Sequence, residues 1–164
     1  MDNTAAEFVA RYGAIYEHSP WVAEEAAAVL NGICDRERIA AVMADCVDNA
    51  SREQQLELIR AHPDLAGKAQ IAGELTADST SEQASAGLDR CSAEEYERFQ
   101  SLNAAYRDKF GFPFVMAVRD SSRQEILAAF EERLGNDEEI EFEMALQEIH
   151  KIARLRLAAM EAGR

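Results

Sequence analysis

Basic residues are scarce in this chain. Lys and Arg number 17 against 31 Asp and Glu, a formal net charge of −14. A surface of that sign repels phosphate backbones and anionic lipid headgroups, which argues against nucleic acid or a membrane surface as partner. A small substrate stays open, because the potential inside a pocket can differ in sign from the global field. Long apolar runs are missing too: nothing approaches the roughly eighteen apolar residues of a membrane span. The N-terminal MDNTAAEF has neither the basic nor the apolar part of a secretory leader. The C-terminal EAGR is not a peroxisomal tripeptide. Only three cysteines occur, Cys34, Cys46 and Cys91, and none forms a C-x-x-C pair. This predicts reduced thiols in a cytoplasmic protein, with no zinc site. A Gly-rich phosphate loop, a G-x-S-x-G elbow and a Cys–His pair are all lacking, so an enzyme of this sequence is expected to work with no cofactor and no metal.

What is present reads as helix. The 164 residues, 48% hydrophobic and 29% charged, suit one globular domain spanning 1–164. Start signals punctuate the chain. Thr4 with Glu7 opens a helix, and Ser19-Pro20 opens a second that Gly32 closes. Asp35 opens a third. Ser51 with Gln54 opens a fourth, which must end near His62-Pro63 because the residue before proline avoids helical geometry. Ser92 with Glu95 opens a long helix closed by Gly111, and Ser121 with Gln124 another closed by Gly135. Asn136 caps the last, which runs to about Met160. The one strand-like piece, FPFVMAV at 112–118, has no evident partner strand. The expected fold is therefore all-α: a single bundle-like domain of seven to nine helices with one short extended segment.

Three places depart from ordinary amphipathic patterning. On the last helix, at about 100° per residue, Phe142, Ala145, Leu146, Ile149, Ile152, Ala153 and Met160 form one stripe. Arg156 falls inside that stripe, while Lys151 and Arg154 face away. An arginine there is costly unless it is paired with a carboxylate or lines a cavity, where its fork suits a carboxylate or ureido carbonyl. His62, held off helical geometry by Pro63, either caps a helix end or trades protons in a cleft. In STSEQ, Ser79 and Glu82 fit a capping box, yet Glu82 can also accept a proton and Gln83 offers both a donor and an acceptor. His18 and His150 read as surface residues.

Four segments together resemble one family. SPWVAEEA (19–26), HPDLAGKAQIAGELTADSTSEQASAGLD (62–89), SLNAAYRDKFGFPFVMAVR (101–119) and EIHKIARLRL (148–157) are similar to OHCU decarboxylase, the 2-oxo-4-hydroxy-4-carboxy-5-ureidoimidazoline decarboxylase of urate degradation. The likeness covers almost the whole chain. It implies cofactor-free loss of CO2 from a small ureidoimidazoline, giving (S)-allantoin, in a cytoplasmic homodimer. It also implies that His62 is the catalytic histidine and Glu82 its acidic partner. Pro63, Ser79, Gln83 and Arg156 would contact substrate, as would backbone groups of Phe114, Val115, Met116, Ala117 and Val118. Lys68 or Arg119 would help Arg156 to offset the negative field. The alternatives are a non-catalytic module binding a ureide or purine metabolite, and a lyase acting on a related ureido acid.

Overall fold

The structure, a computed structural model, describes residues 3–30, 35–66, 75–119 and 121–162. Among these residues the protein is all-α, with eight α-helices, one 3₁₀ turn and no strand. The helices are α1 (Asn3–Tyr12), α2 (Trp21–Val29), α3 (Arg36–Asp48), α4 (Arg52–Arg60), α5 (Ala77–Ser85), α6 (Ala93–Phe110), α7 (Arg123–Leu134) and α8 (Glu138–Ala162), and the 3₁₀ turn is Leu88–Arg90. Two compact units are distinguished: Met1–Ala61 with Ile149–Arg164, and His62–Glu148.

In the first unit, α1 to α4 and the last part of α8 carry a core that includes Tyr16, Val22, Met43, Leu58, Ile59, Ile149 and Leu157. Asp35 caps α3 by accepting from the Arg38 amide, and Ser51 with Gln54 forms a reciprocal capping box on α4. Helix α2 starts one residue later than its sequence signal: Pro20 holds the cap position, and the Ser19 hydroxyl donates to the Glu17 carbonyl instead. His150 is not a simple surface residue. Tyr16 Oη lies 2.8 Å from its Nδ1, and its Nε2 lies 3.0 Å from an Asp48 carboxylate oxygen. Gly32, Cys34 and the Thr4 side chain lie outside the described residues.

In the second unit, an aromatic core surrounds Tyr106 on α6. Phe110, Phe112, Phe114 and Phe130 all lie within 6 Å of its ring centre. Capping boxes at Ser92–Glu95 and Ser122–Glu125 start α6 and α7. The latter pair lies one residue beyond the expected Ser121–Gln124, a slip that the double serine invites. Asp137 caps α8 by accepting from the Ile140 amide, whereas the Asn136 side chain turns to Glu141. Gly111 closes α6 in the left-handed region, φ 78°. The 112–118 stretch is irregular, neither helix nor strand, and Phe112, Phe114, Val115 and Val118 are buried.

Gly87 shows how tightly the α5–α6 connection is built. Its φ is 77°, and a Cβ placed on it would lie 2.7 Å from Nη1 of Arg123, which donates to the Gly87 carbonyl at 2.9 Å. Gly87→Ala is expected to lower stability by at least about 1–2 kcal/mol, the cost of left-handed geometry for a residue with a Cβ. Urea unfolding of the two proteins measures this.

Candidate active site

His62 follows Pro-terminated α4 and opens the second unit. It is 6% exposed, and Pro63 and Asp64 beside it are half-buried. The next residues do not coil freely. Leu65 and Ala66 are buried, and Ala66 has a positive φ of 52°. An alanine in that region is strained and persists only where its surroundings over-determine it. Here they do. Gln83 on α5 donates from Nε2 to the Asp64 carbonyl (3.2 Å) and accepts the Ala66 amide on Oε1 (3.0 Å). Asn103 on α6 donates to the Leu65 carbonyl (3.0 Å), and Gln100 on the same helix to the Ala66 carbonyl (2.8 Å). Arg107, one turn further on, is paired with the Asp64 carboxylate (2.9 Å).

The start of α5 decides what Ser79 and Glu82 are for. The cap is Thr76, whose hydroxyl accepts the Ser79 amide. Ser79 and Glu82 therefore form no capping box. Ser79 stands at the third helical position, and Ser79, Glu82, Gln83 and Ala86 share one face at i, i+3, i+4 and i+7. All four are buried, with Glu82 8% exposed. A buried serine, glutamate and glutamine on one face, with the glutamine fastened to the histidine's loop, is a polar constellation on a buried helix face.

The 112–118 segment is another non-helical part of the unit, and side chains hold its backbone. Arg133 donates from Nη1 to the Val115 carbonyl at 2.6 Å, and a Glu148 oxygen accepts the Ala117 amide at 3.1 Å. Phe114 stacks on Phe130 with ring centres 3.9 Å apart, and the Arg133 guanidinium lies over the Phe114 ring. Arg133 and Glu141 form a buried ion pair at 2.9 Å, with Glu141 fully inaccessible. The Glu141 carboxylate also accepts from Tyr106 Oη (2.6 Å) and Asn136 (2.8 Å). Neither Arg133 nor Glu141 stood out in the sequence. Their spacing of eight, across the α7–α8 turn, looks like any surface charge pair, and only the fold puts them inside.

Arg156 belongs to the first unit and is buried as the helical stripe requires, 2% exposed, while Arg154 and Lys151 are exposed. Its Nη1 donates to the Ile15 carbonyl (3.2 Å), and its Nη2 faces a buried Glu17 oxygen at 3.4 Å. The carboxylate bridge foreseen for an arginine in that stripe is present, with Glu17 as partner. Arg119 is half-buried, and Lys68 lies outside the described residues. Among the described residues no cluster of His, Cys, Asp or Glu is placed to hold a metal ion, and no helix is long and apolar enough to cross a membrane.

A helical protein that buries a histidine in a braced loop, and a glutamate on the helix that braces it, is equipped for acid–base chemistry on a small substrate. Comparison with known proteins gives that class a family. The family profile described as OHCU decarboxylase matches residues 2–158, and this chain belongs to that family. It is 50% identical to a 2-oxo-4-hydroxy-4-carboxy-5-ureidoimidazoline decarboxylase of Haloferax volcanii, over 92% of this chain and 87% of the relative. It is 44% identical to a uric acid degradation bifunctional protein of Bacillus subtilis, over 89% of this chain and 28% of that longer protein. Among solved structures it superposes on an (S)-allantoin synthase with TM-score 0.72 and 38% identity, covering 94% of this chain and 50% of that one. A second, an OHCU decarboxylase solved in the presence of (S)-allantoin, gives TM-score 0.69 and 26% identity over 85% and 89% of the two chains.

Two outcomes test the buried charges and phenols. Arg133→Met leaves the Glu141 carboxylate buried without its cation, a change that costs about 3–5 kcal/mol. Equilibrium denaturation should show a loss of that size. Burial raises the Tyr106 phenol far above its ordinary range, and the Glu141 carboxylate adds to this. Tyr16 is raised likewise, by burial and then by Asp48. A phenol whose folded pKa is raised stabilises the fold fully below the unfolded value and loses that contribution as pH climbs. Stability should therefore fall above pH about 10. Urea midpoints taken across that range should drop less steeply in Tyr106→Phe than in the wild type.

Proposed function

We propose that the chain's decarboxylation of 2-oxo-4-hydroxy-4-carboxy-5-ureidoimidazoline to (S)-allantoin is carried out by His62 and Glu82. The observation that carries this assignment is the burial of both groups with Ser79, on elements that Gln83 ties together. Membership of the family supports it on the substrate's side.

The chemistry asks for little more than placement and three proton transfers. As the carbon–carboxylate bond breaks, CO2 departs and its electron pair flows into the ring's carbon–nitrogen unsaturation, so the substrate is its own electron sink. The ring nitrogen that receives the pair takes up a proton, the hydroxyl on the carbon that lost CO2 gives up its proton and becomes a carbonyl, and a proton is delivered to one face of the ring carbon that bears the ureido group. Overall one proton takes the place of one CO2. His62 and Glu82 share these transfers. A buried site strengthens their interaction with charge developing on the ring and keeps bulk water from protonating the wrong face. Pro63, Ser79 and the backbone groups of 114–118 line the ring and its ureido arm. Arg119 adds positive charge to a chain of net charge −14. On the same family likeness we place the enzyme in the cytoplasm as a homodimer of single-domain subunits.

The test generates the unstable substrate in situ from urate and follows circular dichroism against its spontaneous decay to racemic allantoin. The wild type should give a rapid rise to a stable (S)-allantoin signal. His62→Asn should follow the uncatalysed trace while keeping the wild-type helical spectrum. Near wild-type turnover in that variant removes His62 from the mechanism.

A further inference from the structure

We propose that Gln83, Gln100 and Asn103 are positioning residues: three side-chain amides that fix the His62 loop. This rests on the assignment of His62 as the catalytic histidine.

The loop poses a physical problem that the three amides solve. Residues 64–66 belong to neither helix nor sheet and are half-buried or buried, so their backbone groups need partners that no regular element supplies. Four of these groups find side-chain amides: the carbonyls of Asp64, Leu65 and Ala66, and the Ala66 amide. Gln83 contributes both ends of its carboxamide, one to each side of the turn. Its side chain is 2% exposed, and both of its polar atoms are already engaged. Asn103 is fixed in orientation by the Leu65 carbonyl, and its own Oδ1 is buried with no hydrogen-bond partner. Turning it over would set oxygen against oxygen. At Ala66 the strained φ is held from both faces, by Gln83 on the N–H and by Gln100 on the carbonyl. Strain held in place by this many bonds marks a segment whose geometry is being specified. The residue that profits is His62, four positions earlier and joined through Pro63, whose ring stiffens the link.

Gln100 is the discriminating residue. It is half-buried, and its side chain donates to a loop carbonyl. Gln100→Met keeps its length and removes the donor. If the amides position His62, Gln100→Met and Gln83→Met should each lower kcat on the order of ten- to a hundredfold, the scale of a misplaced catalytic group. KM should stay within about twofold, the mark of an effect confined to the transition state. The double variant should lose little more than the worse single one, because either change frees the same loop. A second readout does not depend on turnover. The His62 ring resonances, assigned by their absence in His62→Asn, should shift their titration midpoint in Gln100→Met. Wild-type kcat and an unmoved His62 titration in Gln100→Met overturn the proposal. So does a Gln83→Met variant that raises KM with kcat intact, which makes Gln83 a substrate contact. If the wild type itself fails to outpace spontaneous decay, the decarboxylase assignment falls, and the His62 titration still decides the loop.

Discussion

A backbone that leaves its helix inside a protein must find partners for every polar group it carries, and the second unit is organised by that requirement. Among its described residues are two such stretches, 62–66 and 112–118, and no strand to receive them. Helical side chains are spent on both. Amides from α5 and α6 take the first, while Arg133 from α7 and Glu148 from α8 take the second. An unpaired buried backbone group costs about as much as a lost hydrogen bond, so these side chains leave the two stretches little freedom to rearrange. Helix α6 serves both tasks. Gln100, Asn103 and Arg107 face the histidine loop, and Tyr106 packs against Phe112 and Phe114.

The electrostatics follow the same logic of local provision. The chain is strongly acidic, yet Arg133 and Arg156 are buried, each with a buried carboxylate. A lone buried guanidinium would be prohibitively expensive, whereas a pair with further hydrogen bonds comes close to balance. Arg133 makes the stronger arrangement, with a short bond to the Val115 carbonyl, an ion pair to Glu141 and an aromatic face beneath it. The Glu141 carboxylate is in turn shared with Tyr106 and Asn136, so one acid links α6, α7 and α8.

How much of this could be read in the sequence depended on the range of the signal. Helices were legible because their signals are local: the Ser51–Gln54 and Ser92–Glu95 boxes and the closing Gly111 act within four residues. Where two cap candidates stood together, as at Ser121-Ser122 and Asn136-Asp137, the pattern alone chose the wrong one. The burial of Arg156 was legible from helical period. The burial of Ser79 and Glu82 was not, because Ser79-x-x-Glu82 satisfies the capping pattern, and only the cap at Thr76 turns these residues inward. Arg133, Glu141, Gln100 and Asn103 were invisible, since each acts on a partner set by the fold. Asn103 reaches 38 residues back to Leu65. His150 was misjudged for the same reason, its partners Tyr16 and Asp48 being more than a hundred residues away.

Glu82 and Gln83 are consecutive on α5, so their side chains leave the helix about 100° apart and rise together. One is assigned to proton transfer, and the other fastens the loop that carries the histidine. Inserting or deleting a single residue between Thr76 and Glu82 would swing both away at once and disconnect acid, anchor and histidine in one event. This helix can therefore drift in composition on its exposed side, at Asp78, Thr80 and Ser81, far more freely than it can change in length.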